Sequence, residues 1–371
     1  ADITRTPTHN AVEAIQGRVP GVDLTRNSGE AGGGVNIAVR GNRSLLPDAG
    51  APLFIIDGFQ GGSISDINPN DIDDITILKD ASATAIYGAL GANGVFIITT
   101  KKGKSGTPKV SYDGFYGINS HASYPKLLTG DAYIKLRREA YRTAGEWNTP
   151  ADDINIFTAD EYDAIQRNEW VDWYKLLVSP GQQQSHNISL RGGNEKTKAF
   201  LSAGYFKEQG MFTNDLFERF TLRTNIEQTV NNWVKVGINT QLTFTDKDRR
   251  TDALGLVNQT SPIAKAYDDN GMINQFPVYG NASAISPLAD ERGDTVYKNN
   301  TVGTRILANG FVELKLAKGL TFKSTFGTAL GSSRLGIYQA ATSVAQRNTR
   351  QTTTQQTTGM SKNFNFDNIL T

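Results

Sequence analysis

Chemistry is first suggested between Ile77 and Lys104, where ILKDASATAIYGALGANGVFIITTKKGK sets Gly88, Gly91 and Gly94 three residues apart, ahead of Gly103-Lys104-Ser105. Evenly spaced glycines and a Gly-Lys-Ser ending are the materials of a phosphate-binding loop. Such a loop needs a strand, then the glycines, then a helix whose N-terminal amides face the anion. Here the order is reversed. A helix-like piece, Asp80 to Tyr87, comes first, and a β-branched run, Val95 to Thr100, comes second. The spacing would also require glycine at position 98, which is Ile98. The glycines are therefore structural: Gly88 ends a short helix, and Gly91 and Gly94 turn the chain into a buried strand. The stretch predicts strand, short helix, glycine corner and strand.

Other reactive constellations fare no better. Cysteine is absent, which removes disulfides, thiolate metal sites and cysteine nucleophiles together. His9, His121 and His186 are far apart and lack ligand spacing. The chain has 37 Asp and Glu but no recognisable carboxylate pair for glycan chemistry. No catalytic residue, metal ligand or cofactor site is assigned, and an enzyme is not expected. The net charge of +1 argues against general nucleic-acid affinity, and Lys101, Lys102 and Lys104 read as a solvated strand edge.

The elements around these residues fall into two textures. Residues 1–105 read as a small mixed domain of short apolar runs (VNIAVRG, APLFIIDG, DITILKD, GVFIITTKKG) bounded by Gly, Pro, Asp or Asn. NAVEAIQGRVPG places Val12, Ile15 and Val19 at helical spacing, and a turn with a short helix follows Pro69. From 106 to 371 the pattern becomes period-two alternation in long segments. Phe220, Leu222 and Ile226 oppose Arg219, Arg223 and Glu227. Val234, Val236, Ile238, Leu242 and Phe244 oppose Lys235, Asn239 and Gln241. No run of about 18 apolar residues exists, so no ordinary spanning helix is expected. Alternating segments of about 9–13 residues suit a tilted membrane strand, with the apolar set facing lipid and the polar set facing the lumen. Short connections alternate with long loops near 119–182 and 247–300, as in outer-membrane barrels. The first long loop carries a helix, TGDAYIKLRREAYRTAG, with Tyr133, Leu136, Ala140 and Tyr141 on its packed face and Arg138 outside. The fold class is an α+β plug domain followed by antiparallel transmembrane β-barrel strands, about eight of an expected larger barrel.

These motifs resemble the SusC-type (SusC/RagA-like) TonB-dependent outer-membrane transporters. EAIQGRVPGVDLTRNSGEAGGGVNIAVRGNRSL resembles the opening of that family's plug. PLFIIDGF followed by INPNDIDDITILKDASATAIYGALGANGVFIITTKKGK resembles its plug core, and GGNEKTKAFLSAGYFKEQGMF and GLTFKSTFG resemble early barrel strands. Leu90 departs from the family, which often has a basic residue there. The resemblance implies a plug inside a barrel of about 22 strands. Eight strands cannot enclose a plug of roughly 100 residues, so the sequence is expected to be the N-terminal part of a longer, Bacteroidota-type protein.

The resemblance further implies TonB-dependent import of a nutrient, an oligosaccharide or peptide, across the bacterial outer membrane. The implied partners are a SusD-like lipoprotein lid, the TonB-ExbB-ExbD motor and outer-membrane lipid. The alternative is a non-transporting surface binding protein or adhesin. Gly41, Asp57, Gly58, Asp80, Tyr87, Gly88, Gly91 and Gly94 fall on the plug signature. Arg40 and Lys79 each close an apolar run, so each charge emerges at the edge of a packed layer and needs water or a partner. The resemblance implies that they tether the plug to carboxylates of the wall or of the plug itself. In the first long loop, Trp170, Trp173 and Tyr174 of NEWVDWY either stack on a ligand or anchor the loop or lid. The plug–wall boundary is expected to be polar and hydrated, hence exchangeable.

Overall fold

The computed structural model describes residues 8, 10–26, 29–39, 41, 50–120, 126–250, 253–281 and 283–371. Its first part holds two small sheets. Strands β1 (Val22–Arg26) and β2 (Val35–Val39) form an antiparallel pair. Strands β3 (Leu53–Ile56), β4 (Phe59–Gln60), β5 (Ile72–Leu78) and β6 (Val95–Thr100) form a sheet in the order β4-β3-β6-β5. In it β3 runs parallel to β6, and β5 antiparallel. The apolar runs become strands because they are short, β-branched and stopped by turn residues. Their inward side chains, Ile56, Phe96 and Ile98, join Val12, Leu24, Val39 and Ile67 in one buried core.

Between β5 and β6 the chain makes the anticipated corner. Helix α1 (Ala81–Thr84) passes into a 3-10 segment, Ala85–Gly91, which breaks at Gly88 (φ 56°). Gly94 (φ 92°) then turns the chain into β6. The spacing of Val12, Ile15 and Val19 produces less than a helix: only Glu13–Ile15 is helical, of 3-10 type, because Gly17 turns left-handed (φ 70°).

The second part is one antiparallel sheet of eight strands in chain order, from β7 (Gly106–Asn119) through β8 (Gly181–Gly193), β9 (Thr197–Gln209), β10 (Leu216–Thr229), β11 (Val234–Asp248), β12 (Tyr297–Ala317) and β13 (Leu320–Gln339) to β14 (Thr353–Leu370). It is not closed: β7 and β14 are its edges. Three connections are tight turns, at 194–196, 230–233 and 318–319. Opposite them lie the 120–180 and 249–296 loops, with shorter links at 210–215 and 340–352.

The strands exceed the expected lengths, reaching 21 residues in β12, 20 in β13 and 18 in β14. The excess lies toward the loop side, where runs such as TTQQTTG in β14 carry no alternation because neither face is apolar. Within the alternating zone the faces are inverted relative to a water-soluble sheet. Leu222, Ile226, Ile238, Phe244, Ile306, Val312 and Phe326 are exposed on the outer face. Thr221, Arg223, Asn225, Gln241, Thr243 and Asn309 are buried on the inner face, against the small domain. That inversion separates a barrel wall from a soluble sandwich.

The long loops carry helices α2 (Gly130–Thr143), α3 (Asp153–Ile156), α4 (Ala159–Gln166), α5 (Trp173–Leu177) and α6 (Leu254–Val257). They share buried clusters: Trp173, Leu177, Val257, Ile285, Leu288 and Val344 pack together, and Ile134, Ile156, Phe157 and Ile263 form a second core. The α2 helix packs by only part of the expected face: Tyr133 and Tyr141 lie against the second core. Ile134 is buried while Leu136 and Ala140 are exposed. Arg137 and Arg138 turn inward because Glu161 and Asp153 receive them; Arg137 Nη1 lies 2.6 Å from Glu161 Oε1.

Candidate functional site: the seam between plug and wall

The inner face of the wall meets the small domain along a polar seam. Its centre is the turn between β3 and β4. Asp57 (φ 48°) and Gly58 (φ 90°) are both left-handed, the two-residue Asp-Gly hairpin turn that suits right-twisted strands. Aspartate tolerates this conformation because its short side chain bonds locally. Here Asp57 Oδ1 accepts the Thr100 amide at 2.9 Å, and Oδ2 accepts the Thr100 hydroxyl at 2.6 Å.

The same carboxylate binds the wall. Arg223 of β10 donates from Nη2 to Asp57 Oδ2 at 2.5 Å, with the two side chains 1% and 6% exposed. Arg223 also donates to Gln241 Oε1 and Asn239 Oδ1, each at 2.7 Å, and to the Thr100 hydroxyl. Asn239 donates to Asp57 Oδ2, and Asn309 Nδ2 donates to the Asp57 carbonyl at 2.9 Å. Three wall groups, Arg223, Asn239 and Asn309 from β10, β11 and β12, thus converge on one plug turn, and Gln241 braces Arg223. A buried pair with such support is costly to break from one side, about 3–5 kcal/mol, because the survivor is left as an unpaired buried charge.

A second attachment lies toward the loop side. The turn after Gly29 presents its backbone to the wall. Ala31 N donates to both oxygens of Asp215 at 3.1 and 3.0 Å, and Gly32 N donates to Glu208 Oε2 at 2.9 Å. Lys247 Nζ donates to the Gly32 carbonyl at 3.2 Å. Ala31 packs with Phe206 and Phe217, and Gly32 (φ 57°) lies so close that a Cβ there would sit 2.3 Å from Phe217 Cγ. Burial pushes the Asp215 carboxyl up to about 6; the Ala31 amide and Lys247 oppose this, and Glu30 and Glu208 add to it.

Further contacts spread along the seam. Asn68 Nδ2 donates to Asn187 Oδ1 at 3.0 Å, and Arg219 Nη1 donates to the Ser65 carbonyl at 2.8 Å. The wall admits Asn68 because residue 204 is glycine: a Cβ there would meet Asn68 Nδ2 at 2.3 Å. At the crossing from plug to wall, Arg191 Nε donates to the Lys102 carbonyl at 2.5 Å. Lys102 Nζ lies 3.8 Å from Glu227. Lys102 therefore has a wall partner and is not simply a solvated edge.

The residues singled out from sequence fall in different places. Asp57 and Gly58 sit at the seam's centre. Asp80 precedes α1, where its carbonyl accepts the Ala83 and Thr84 amides. Gly41 (φ 85°), Gly88 and Gly94 are left-handed, Gly91 is buried beside Thr84, and Tyr87 is half-buried. Lys79 Nζ donates to the Pro20 carbonyl within the plug and pairs with no carboxylate among the described residues. It joins plug to plug. Arg40 lies outside the described residues, as do His9 and His121. Trp173 is 1% exposed, with Nε1 donating to the Ser261 carbonyl at 2.9 Å, so its ring packs the loop core and offers no face to a ligand. Trp170 and Tyr174 are partly buried against the same loop cores.

Sequence reasoning missed the direction of the main tether. It paired the plug cations Arg40 and Lys79 with carboxylates of the wall or of the plug itself, and the clasp has a plug carboxylate on a wall arginine. The signal was present in two separate facts, the Asp-Gly turn motif and Arg223 on the polar face of β10. The seam is also less uniformly weak than expected, since it contains a buried ion pair and the aromatic seat of Ala31.

Comparison with known proteins places these features. Residues 1–95 match the model of the TonB-dependent Receptor Plug Domain. The chain is 29% identical over 391 residues to TonB-dependent receptor P3 of Formosa agariphila, covering 100% of this chain and 36% of that protein. It is 35% identical over 235 residues to TonB-dependent receptor SusC of Bacteroides thetaiotaomicron, covering 61% of this chain and 22% of that protein. Among solved structures, the RagAB peptide transporter aligns with a TM-score of 0.81 at 26% identity, over 98% of this chain and 44% of its match. The closed-closed state of the RagAB peptide importer aligns with a TM-score of 0.76 at 28% identity, over 90% and 40%. The chain thus spans well under half the length of these relatives.

Proposed function

The chain belongs to the SusC-type TonB-dependent receptors, and on that premise we propose that it serves TonB-dependent import of a nutrient across the bacterial outer membrane. Its named relatives are receptors and importers, and the chain is no enzyme. The observation that carries the reading is the seam itself. A plug built as a separate small domain is seated on the polar face of a barrel wall by exchangeable hydrogen bonds and one central ion pair. Such an interface seals at rest and can be broken by pulling, whereas a continuous apolar core would not reseal by exchange with water.

Outer-membrane placement has a dimensional support. The lipid-facing set on β11 runs from Val234 to Phe244. Ten steps of about 3.3 Å give about 33 Å along the strand, or about 25 Å across the membrane at a tilt of about 40°. That equals the apolar band of outer-membrane barrels. Residues 1–105 act as the plug and 106–371 as part of the wall, within a larger barrel. Arg40 is proposed as a further tether to a carboxylate. Cargo is an oligosaccharide or a peptide, the latter in keeping with the RagAB peptide transporter. The loop module is the landing surface for a SusD-like lipoprotein, and the TonB-ExbB-ExbD motor supplies the pull.

The test is uptake of labelled oligosaccharide and peptide pools by cells carrying the full-length gene, with and without functional TonB. Uptake of one pool that requires both the gene and TonB is expected. Uptake that is independent of TonB, or surface binding without uptake, contradicts the reading and favours a surface binder.

A further inference from the structure

Charge is unevenly placed in this chain. The net charge is +1, yet cations gather at the tight-turn ends of the wall strands. Lys109 of β7, Arg191 of β8, Lys198 of β9, Lys235 of β11, Lys315 of β12 and Lys323 of β13 all lie within a few residues of that end. Lys196 and Lys318 occupy two of the turns, and Lys101, Lys102 and Lys104 the linker into β7. Among the described residues of these strand ends, turns and linker, the carboxylates are Glu195, Glu227, Glu313 and Asp367.

The strand cations occupy inner-face positions. Lys109 is opposite Arg191, Lys198 opposite Glu227, Lys235 opposite Glu313, and Glu313 opposite Lys323. The neighbouring outward positions, Val234, Leu314 and Phe322, form an apolar rung. The cations therefore line the mouth of the lumen and do not face lipid. Glu227 is shared by Lys235 at 2.8 Å and Lys102 at 3.8 Å. Glu313 lies in register between Lys235 and Lys323. Both of those lysines also approach the Phe311 ring, with Nζ 5.6 and 4.8 Å from its centroid, which holds like charges side by side. Lys109, Lys196, Lys315 and Lys318 are exposed and take part in no ion pair with a described residue. A mouth lined by one sign of charge, on a low-dielectric wall, focuses its field and draws the opposite sign. Tight turns of outer-membrane barrels face the periplasm.

The spacing selects the occupant. From β7 to β13 the rim spans six strand spacings of about 4.8 Å, or about 29 Å, so a small anion reaches only part of it. Inward lysines recur on β7, β9, β11 and β13, about 9.6 Å apart, the length of about three extended residues. Glu227 and Glu313 stand between them on β10 and β12 and repel a uniformly negative partner, such as an anionic bilayer or a polyuronate. An extended polypeptide whose acids are separated by neutral residues meets the lysines and avoids those two carboxylates.

We propose that this rim docks an extended acidic polypeptide segment of a periplasmic partner. Its placement on the periplasmic side rests on the import reading. The probe is a labelled, end-blocked 12-residue peptide with glutamate at every third position and serine between, and its control carries glutamine in place of glutamate. Binding to the purified full-length protein in neutral detergent is followed by fluorescence anisotropy at about 50 mM salt. The acidic peptide is expected to bind about tenfold or more tighter than its control, and to weaken steeply as salt rises. The triple variant Lys196→Glu, Lys315→Glu, Lys318→Glu should lose about tenfold or more. The milder pair Lys315→Gln, Lys318→Gln should lose about threefold and serves where charge reversal disturbs folding. Equal binding of acidic and control peptides overturns the proposal, including the case in which further parts of the full-length chain already neutralise the rim. So does unchanged binding in the folded variants. Tighter rim-dependent binding of phosphatidylglycerol vesicles or of an oligogalacturonate assigns the rim to a lipid surface or an acidic glycan and overturns it as well. None of these results bears on TonB-dependent uptake, which judges the import reading separately.

Discussion

The plug is held to the wall at two places that use opposite chemistry. At the clasp, a side-chain carboxylate of the plug meets a guanidinium of the wall, and both are buried. At the latch, plug backbone amides meet the wall carboxylates of Asp215 and Glu208, joined by the looser ion pairs Glu30–Lys247 and Arg26–Glu208. The clasp fixes the four-stranded sheet through Asp57 and Thr100. The latch fixes the connection between β1 and β2, in the half of the plug nearer the N-terminus. One attachment is centred on a single buried pair of side chains, while the other is spread over backbone amides, partly exposed ion pairs, small residues and a carboxyl whose protonation matters.

The largest expected effect is at the clasp. Arg223→Ala leaves Asp57 buried without its cation and should weaken plug seating by about 3–5 kcal/mol. Chemical denaturation of the full-length protein, followed by a probe in the plug, should show this loss with the barrel transition unchanged. Next in size is Gly32→Val. A Cβ there meets Phe217 at 2.3 Å and φ is 57°, so about 1–3 kcal/mol should be lost at the latch alone. Protease sensitivity between β1 and β2 should rise while cleavage near Asp57 stays as in the wild type.

The pH dependence sharpens the contrast further. The Asp215 carboxyl stands at about 6 when docked, raised from the ordinary value of 3.8. The docked form therefore binds a proton more readily than the free form, and docking strengthens as pH falls through about 6. Exchange protection of the Ala31 and Gly32 amides, corrected for intrinsic rates, should be greater at pH 5 than at pH 8. Asp215→Asn should remove that difference. A latch that tightens with rising pH would contradict the assignment. The smallest effect is Lys79→Ala, which removes one half-exposed hydrogen bond to Pro20 and should cost about 1 kcal/mol or less, with no change in plug–wall protection.

Much of this was legible in the chain. Glycine placement and short apolar runs marked β3, β5, β6 and the corner at Gly88, because local sterics decide those features. Strict alternation marked the two faces of β10 and β11, because one face is apolar and exposed and the other is polar and packed on the plug. Contacts that join the two parts were not legible. Asp57 and Arg223 are 166 residues apart, and nothing local in either says which surface charge will be sealed. Burial made the difference: the wall arginine is long enough to reach a carboxylate already held by Thr100. The face of α2 was legible only in Tyr133 and Tyr141 for a related reason, since arginines count as outward until Glu161 and Asp153 are seen to receive them. The loopward extensions of β12 to β14 escaped because strands above the apolar band lose the alternation that reveals them.

The Asp57–Arg223 pair is the central attachment of plug to wall. The most direct measurement is hydrogen exchange at the Thr100 amide, which donates to Asp57 Oδ1 in the clasp. In the full-length protein, Arg223→Ala should lower its protection by about a hundredfold, the equivalent of about 3 kcal/mol. Protection of barrel amides in β10 should stay at the wild-type level. Unchanged protection at Thr100 would contradict the clasp as the central attachment.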